Sequence, residues 1–170
     1  KLSFMTWNLA VGDKTTRDEN AARYGGAKFG GIEPAHASDN IFIYSDPASG
    51  TEFGYDFDGW IEAEGVFRYT GDGQVGDQQL TGRNLTLLEH VDRGMTIRLF
   101  VADGIAVGTK NTQAQRYVGE FRVDSDDPYR VEDGLDKHGD ERKLLVFRLM
   151  PVGSFGDVFA ATLQESVDAP

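Results

Sequence analysis

Side chains that could support hydrolysis of a phosphodiester lie close together near residue 140. Glu141-Arg142-Lys143 is an acid-x-Lys element of the kind that metal-dependent nucleases place on a strand, and Asp133 is an available upstream carboxylate. Short elements of this kind recur by chance in sequences. Nuclease chemistry by Glu141 and Lys143 is therefore the less favoured interpretation, and the chain is predicted not to be an enzyme.

The residue types that bind metals do not occur in the patterns that metal sites require. The chain has no cysteine, and His36, His90 and His138 lack metal-ligand spacing. The acidic run at residues 124–127 lacks the glycine and the terminal glutamate of a calcium-binding loop. We therefore predict no metal site and no cofactor.

A series of short motifs follows in a fixed order between Gly31 and Val152. The motifs are Gly54-Tyr55-Asp56-Phe57-Asp58, Tyr69-Thr70-Gly71-Asp72-Gly73, Asp77-Gln78-Gln79-Leu80-Thr81, Arg83-Asn84-Leu85, Arg116-Tyr117-Val118-Gly119-Glu120-Phe121 and Leu145-Val146-Phe147-Arg148-Leu149. Each motif alone consists of ordinary strand and turn residues. Their order along the chain is far more specific than any single motif.

In this order the motifs resemble the SET-and-RING-associated (SRA) domain, and above all the SRA-like domain of bacterial McrA-type, modification-dependent HNH restriction endonucleases. The resemblance implies an α+β, β-rich fold: a twisted, partly open β-barrel of the SRA or PUA-like kind with a few short flanking helices. It also implies binding of duplex DNA that carries 5-methylcytosine or 5-hydroxymethylcytosine, with that base flipped into an aromatic pocket. The chain would be the recognition module of a bacterial defence system, and an HNH nuclease fused to it or partnered with it would cut.

Carried over residue by residue, the resemblance implies a base pocket made of Tyr55, Asp58, Tyr69, Thr70 and Gly71. The two tyrosines would stack on the flipped ring, which restores about 1–3 kcal/mol per stacked base against an extrusion cost of about a few kcal/mol. Asp58 would accept a hydrogen bond from the N4 amine of cytosine, which thymine lacks. Thr70 and Gly71 would line the space for the 5-substituent, where a methyl group gives about 1–3 kcal/mol of discrimination.

Further residues are predicted to contact the duplex, namely Lys28, Phe29, Arg68, Gln74, Gln78, Arg83 and Asn84. Lys28 and Phe29 lie where family members carry the loop that fills the space left by the flipped base. Arg83 and Asn84 lie at a predicted helix start, where free amides favour phosphate. The segment between Gly73 and Asp77 is short and lacks the basic finger that reads the opposite strand in eukaryotic members, so the resemblance does not extend to the recognition of hemimethylated DNA.

The same residues also have purely structural interpretations. Without the ordered motifs, Tyr55 and Tyr69 would be core or rim aromatics, and Asp58 would belong to a solvated acidic turn. Arg83 and Asn84 would be a surface arginine and a helix cap. The alternative functions are an RNA-binding PUA-like module and a scaffold that binds no nucleic acid.

The elements that must position these residues are predicted to be mainly strands. Thr16-Arg17-Asp18-Glu19 has the form of a capping box, which predicts a helix to about Tyr24. The spacing of Leu85, Leu88 and Val91 predicts a second helix over residues 84–91. Residues 25–31, with four glycines, and the acidic residues 124–141 are predicted to be loops, the second one mobile. Strands are predicted at residues 41–44, 66–70, 96–101, 116–123 and 143–150.

The composition fits one β-rich domain over all 170 residues, with 21 glycines and 11 phenylalanines. Residues 1–4 are interpreted as a vector-derived remnant and residues 153–170 as a C-terminal tail. The absence of cysteine suits a reducing cytoplasm, where we expect the protein to act, and no apolar run is long enough to cross a membrane.

The net charge of -11 opposes a nucleic-acid partner unless the acidic residues are segregated. Residues 46–64 carry six acids and no base, and residues 124–141 carry eight acids and two bases. Residues 66–123 carry seven bases against six acids, so this central stretch is nearly neutral. A locally basic face can therefore exist, and binding to unmodified DNA should be weak and salt-sensitive.

Overall fold

The computed structural model describes residues 6–46 and 57–153 of the chain, and within them the fold is dominated by one large sheet. Its strands are β1 (Lys14–Thr15), β2 (Ile32–Ala35), β3 (Asn40–Ser45), β4 (Gly59–Ile61), β5 (Val66–Thr70), β6 (Thr96–Ile105), β7 (Gln113–Val123), β8 (Tyr129–Leu135) and β9 (Glu141–Pro151). The helices are α1 (Arg17–Tyr24) and α2 (Gly82–Leu88), with a short 3-10 turn at His36–Ser38. Neither helix within the described ranges is long and apolar enough to cross a membrane.

The sheet follows the order β2-β3-β6-β7-β9-β5-β4, while β1 pairs with β7 and β8 pairs with β9. Every pairing is antiparallel except that of β3 with β6, which is parallel. Along the described chain the end strands β2 and β4 do not pair with each other, so the sheet stays open. The β-rich, partly open architecture expected from the sequence is confirmed.

Strand β3 is buried on both faces, because successive side chains of a strand point to opposite sides. Ile41 and Ile43 belong to the larger apolar cluster, which also contains Tyr69 and Phe147. Phe42 and Tyr44 belong to a second cluster on the other face, which α1 covers with Tyr24. A strand covered on both sides reads as a continuous apolar run, and for this reason β3 could be predicted from the sequence.

The first helix forms as its capping box predicts. The Thr16 hydroxyl accepts a hydrogen bond from the Glu19 amide at 3.1 Å, and this bond satisfies one of the free amides of the first turn. Gly25 ends the helix with φ 89° and donates its amide to the Ala21 carbonyl oxygen at 2.9 Å. The positive φ favours glycine at this position.

The second helix differs from its prediction. It runs over Gly82–Leu88 rather than 84–91, and Val91 is exposed. The residues that it buries are Asn84, Thr86 and Leu87, so its inward face is rotated from the leucine spacing used to predict it. Polar side chains occupy this face because they bond to neighbouring backbone, which an apolar pattern does not reveal.

The prediction of a mobile loop over residues 124–141 is wrong, because this segment contains strand β8. Its residues pair in register with β9 from Tyr129 opposite Phe147 to Leu135 opposite Glu141. Strand β8 is an edge strand whose side chains are mostly half-buried or exposed, so its charged residues do not conflict with strand structure. Residues 124–128 and the turn beyond β8 are loop, and in that turn the Asp136 carboxylate accepts hydrogen bonds from the amides of His138 and Asp140.

A buried histidine connects the end of α2 to strand β7. His90 Nε2 accepts a hydrogen bond from the Val123 amide at 3.2 Å, and Nδ1 lies 2.9 Å from the Met95 carbonyl oxygen. Because Nε2 accepts, the ring proton is on Nδ1, and the imidazole is neutral in this arrangement. Burial lowers the pKa of His90 below its ordinary value of 6.5.

We predict that His90 makes the protein less stable as the pH falls. A histidine with a lowered pKa in the folded state contributes stability above pH 6.5, and this contribution is lost as the pH falls through the lower, folded value. Urea unfolding between pH 7.5 and pH 5 should show a larger loss of unfolding free energy for the native chain than for His90→Gln. The exposed His138→Gln substitution serves as the control and should leave the pH dependence unchanged. Equal pH dependence of the native chain and His90→Gln would contradict this role.

Candidate functional site

The turn that follows β5 is built around Thr70 and Asp58. One oxygen of the Asp58 carboxylate, Oδ1, accepts hydrogen bonds from the Thr70 amide at 2.6 Å and from the Thr70 hydroxyl at 2.7 Å. Asp58 precedes β4, which pairs with β5, so the hairpin brings the two residues together. The structure therefore places three of the predicted pocket residues, Asp58, Thr70 and Gly71, in one cluster.

A buried amide side chain holds this turn against strand β9. Gln78 donates both of its amide hydrogens, to the carbonyl oxygens of Gly71 at 2.7 Å and Gly73 at 3.1 Å. Its own oxygen accepts from the Leu145 amide at 2.9 Å, and the Gly71 amide donates to the Leu145 carbonyl oxygen at 2.7 Å. Gln78 is buried and all its amide groups are engaged, so it supports the turn, whereas its contact with DNA stays a prediction.

A second buried amide holds the other side of the turn. Asn84 in α2 accepts from the Asp72 amide at 2.7 Å and donates to the carbonyl oxygens of Asp72 and Gln79 at 3.0 and 2.9 Å. A side chain added at Gly71 would meet the Asn84 oxygen at 2.8 Å, so this close approach needs glycine. Asn84, like Gln78, therefore supports the turn, and its contact with DNA stays a prediction.

Tyr69 lies one residue before this cluster, on the opposite face of β5 from Thr70. It is 7% exposed, belongs to the larger apolar cluster, and donates its hydroxyl to the Tyr44 carbonyl oxygen at 2.8 Å. A side chain at Gly31 would meet this hydroxyl at 2.1 Å, so Gly31 leaves room for the phenol. Tyr55, its predicted stacking partner, lies outside the described residues.

The glycine-rich segment, residues 25–31, carries the most exposed aromatic ring of the described chain at its tip. Phe29 is 88% exposed, and Lys28 forms an ion pair with Asp18 at 2.7 Å. Both line a cavity of about 360 Å³ together with residues of α1 and the start of β7. The exposed position predicted for Phe29 is confirmed, whereas contact with DNA stays a prediction.

Arg83 extends from α2 to the base of this glycine-rich segment. Its Nη1 lies 2.8 Å from the carboxylate of Glu33, a residue of β2 that is 0% exposed. The Arg83 side chain itself remains 39% exposed. Arg83 is therefore both anchored inside the protein and open to solvent.

Arg68 and Gln74 are the other two residues predicted to contact DNA. Arg68 follows Phe67 and precedes Tyr69, so its side chain leaves the sheet on the face opposite both rings. It is half-buried, and its Nε has no hydrogen-bond partner among the described residues. Gln74 is exposed, and its carbonyl oxygen accepts from the Lys137 amide at 3.0 Å.

Several basic residues of the central stretch, residues 66–123, form ion pairs within the protein. Arg93 pairs with Glu89, Arg98 with Glu120 and Arg116 with Asp103. These ion pairs weaken the positive electrostatic potential of the locally basic face that the sequence allowed. Any contact with phosphate therefore depends on individual residues and not on a broad basic face.

The acid-x-Lys element lies next to the turn of the hairpin formed by β8 and β9. The amine of Lys143 pairs with the Asp133 carboxylate, and both line a cavity of about 610 Å³. Within residues 6–46 and 57–153, no three histidine or acidic side chains are grouped so that they could hold a metal ion. The geometry of the described residues gives no support to the nuclease interpretation.

Sequence analysis missed three residues that organise the site: Glu33, Arg17 and Tyr44. Arg17 Nη1 donates to the Gly30 carbonyl oxygen at 2.6 Å, and its guanidinium lies 4.1 Å from the centre of the Tyr44 ring. Burial raises the pKa of Tyr44 to about 12, so its hydroxyl stays protonated. The one available signal was Glu33 itself, an acid inside an otherwise apolar strand.

A family match covers almost the whole chain. The family model described as "ScoMcrA-like, SRA domain" matches residues 11–169. A comparison with curated proteins finds no match.

Solved structures of related shape support the same assignment of fold. The structure described as "Sulfur binding domain and SRA domain of ScoMcrA complexed with phosphorothioated DNA" superposes with a TM-score of 0.63 at 24% identity, covering 92% of this chain and 45% of that chain. The "Type IV phosphorothioation-dependent restriction endonuclease ScoMcrA" gives a TM-score of 0.62 at 24% identity, with 92% and 28% coverage. The "SUVH5 SRA- hemi methylated CG DNA complex" gives 0.57 at 20% identity, with 91% and 96% coverage. The chain thus spans less than half of either ScoMcrA chain and matches nearly all of the SUVH5 domain.

We predict that Asn84→Asp destabilises the protein, because a carboxylate would face the carbonyl oxygens of Asp72 and Gln79 in a buried position. The loss of two donors and the burial of a charge should lower the unfolding free energy by about 1–3 kcal/mol or more at pH 7. The loss should shrink at low pH, where the acid is protonated and can donate one bond.

Urea unfolding measures this effect, and Gln79→Glu is the matched control. Gln79 is exposed, so the same change from amide to acid should alter the unfolding free energy by less than about 0.5 kcal/mol. Equal effects of the two substitutions would show that Asn84 does not hold the turn.

Proposed function

Because the chain belongs to the ScoMcrA-like SRA domain family, we propose that it binds duplex DNA that carries a modified cytosine and flips that base into a pocket beside the Thr70–Gly71 turn. The observation that carries the proposal is the contact between Asp58 and Thr70, in a turn held from both sides by Gln78 and Asn84. The SUVH5 SRA domain forms complexes with hemi-methylated CG DNA and with fully hydroxymethylated CG DNA, which agrees with such a role.

Asp58 would identify the base as cytosine. Oδ1 of the Asp58 carboxylate accepts hydrogen bonds from both the amide and the hydroxyl of Thr70. Those bonds orient the carboxylate before DNA arrives, so little side-chain freedom is lost on binding. An N4 amine can then donate to Asp58, whereas the carbonyl oxygen of thymine would be opposed by it.

Stacking of the flipped base between Tyr69 and Tyr55 stays a prediction of the family resemblance, and it requires the Tyr69 ring, which is 7% exposed in the apolar core, to become accessible on binding. The hydrogen bond from the Tyr69 hydroxyl to the Tyr44 carbonyl oxygen fixes the phenol ring in advance, and Gly31 leaves room for this hydroxyl. Stacking between two aromatic rings would offset the cost of extruding the base, since each stacked base contributes about 1–3 kcal/mol. Thr70 and Gly71 would lie beside the 5-substituent.

The exposed loop tip would act on the duplex from which the base is taken. Phe29 is apolar and 88% exposed at the tip of the glycine-rich segment. Lys28 and Arg83 would contact the backbone phosphates near this loop. Phe29 would fill the space that the flipped base leaves.

The chain would be the recognition module of a modification-dependent restriction system, with cleavage carried out by a nuclease domain outside it, such as an HNH domain. Its similarity to only part of the ScoMcrA chains agrees with this division of labour. The phosphorothioated DNA named for ScoMcrA is a second modification that the chain could read, and it belongs in any test.

We predict that the protein prefers duplexes with 5-methylcytosine or 5-hydroxymethylcytosine over the matched unmodified duplex by about 10–200-fold, the range that a methyl-sized group supports. Asp58→Asn should weaken binding to the modified duplex by about 10–100-fold, since a bond to a charged group is worth about 1.5–3 kcal/mol. Fluorescence anisotropy titrations on the three duplexes measure both effects.

Asp72→Asn is the matched control, because Asp72 is an exposed acid in the same turn and its predicted role is confined to backbone bonds with Asn84. A phosphorothioated duplex and an RNA duplex serve as further probes. Equal affinity of the native chain for modified and unmodified cytosine would refute the proposal, and selective binding of the phosphorothioated duplex or the RNA would replace it.

A further inference from the structure

Glu33 is a fully buried carboxylate whose surroundings are unusual for a structural ion pair. Its Oε1 accepts from the Gly30 amide at 3.0 Å and from Arg83 Nη1 at 2.8 Å. Its Oε2 is buried without a hydrogen-bond partner among the described residues. Burying a carboxylate with one unbonded oxygen is costly, so this placement is expected where the charge serves a function.

Charged side chains bind both the amide and the carbonyl group of Gly30. Glu33 accepts from its amide, while Arg17 donates to its carbonyl oxygen at 2.6 Å. A side chain at Gly30 would meet Arg83 Nη1 at 2.1 Å and Glu33 Oε1 at 2.5 Å, so the backbone lies directly against the ion pair. The base of the loop that carries Phe29 is therefore fixed to the Arg83 guanidinium.

We propose that Glu33 is a positioning residue for DNA binding: it aims the guanidinium of Arg83 at a backbone phosphate and fixes the Phe29 loop beside it. This inference rests on the proposed function and assigns the phosphate contact to a specific pair. Arg83 has five N–H donors, and Glu33 engages Nη1 alone among the described contacts. The Arg83 side chain is 39% exposed, so it can reach a phosphate oxygen from solvent while Glu33 holds Nη1.

The positioning role predicts an effect opposite to that of simple charge. Removing an acid near DNA should tighten binding by ordinary electrostatics, without reducing its salt dependence. If Glu33 aims Arg83, its removal should instead weaken binding and cost one phosphate contact. Each contact contributes about 0.9 to the slope of log affinity against log salt concentration on duplex DNA.

The test is a set of DNA titrations from 50 to 200 mM salt with the native chain, Glu33→Gln, Arg83→Gln and the double variant. Glu33→Gln retains the size of the side chain and an oxygen for the Gly30 amide. We expect both single variants to bind modified and unmodified duplexes about threefold or more weakly at the lowest salt, with slopes smaller by about 0.9. The double variant should match Arg83→Gln, because Glu33 acts through Arg83.

Urea unfolding of each variant separates loss of fold from loss of positioning. If Glu33→Gln does not fold, Arg83→Gln alone decides, because a slope equal to that of the native chain would remove the phosphate contact on which the proposal depends. An unchanged slope or tighter binding of folded Glu33→Gln would also overturn it. These outcomes differ from failure of the proposed function, which is seen as equal affinity of the native chain for modified and unmodified duplexes.

Discussion

The candidate pocket depends on the hydrogen bonds that the backbone makes in the sharp turn after strand β5. Backbone groups in a buried turn lose water and must find other partners. Here the amides of Gln78 and Asn84 supply these partners from two sides, and strand β9 supplies one more through Leu145. A turn held so completely keeps Asp58 and Thr70 in one arrangement, which is what recognition of a small chemical difference requires.

Strand β3 connects this turn to the loop that would enter the duplex. The Tyr44 carbonyl oxygen accepts from the Tyr69 hydroxyl, and the Tyr44 amide donates to the Gly31 carbonyl oxygen at 2.9 Å. The ring of the same tyrosine lies under the guanidinium of Arg17. The proposed pocket and the proposed duplex contact thus share one rigid residue, so their distance and orientation are set by the core and not by loop dynamics.

The parts of the fold that could be predicted from the sequence are those with a local signal. The capping box of α1 and the apolar runs of β3, β5 and β9 need no knowledge of distant residues. Strand β8 escaped prediction because an edge strand tolerates charges, and its pairing with β9 is set by the partner strand. Local sequence patterns indicate burial and secondary-structure propensity, whereas the pairing of an edge strand depends on the strand next to it.

In the candidate site, too, some residues could be predicted from the sequence and others could not. Order of motifs led to Asp58, Thr70 and Gly71, which the structure brings together. The roles of Gln78, Asn84 and Glu33 depend on hydrogen bonds to backbone far away in the sequence, and an amide at a helix start looks the same whether it faces solvent or a buried turn.

Extrusion of the modified base is the central claim, and 2-aminopurine placed next to 5-methylcytosine tests it most directly. The fluorescence of 2-aminopurine is quenched by stacking and rises when its neighbour leaves the helix. The protein should raise the 2-aminopurine fluorescence of the modified duplex. At the same degree of binding, the fluorescence of the matched unmodified duplex should not change. Selective binding of the modified duplex with no change in fluorescence would contradict base flipping.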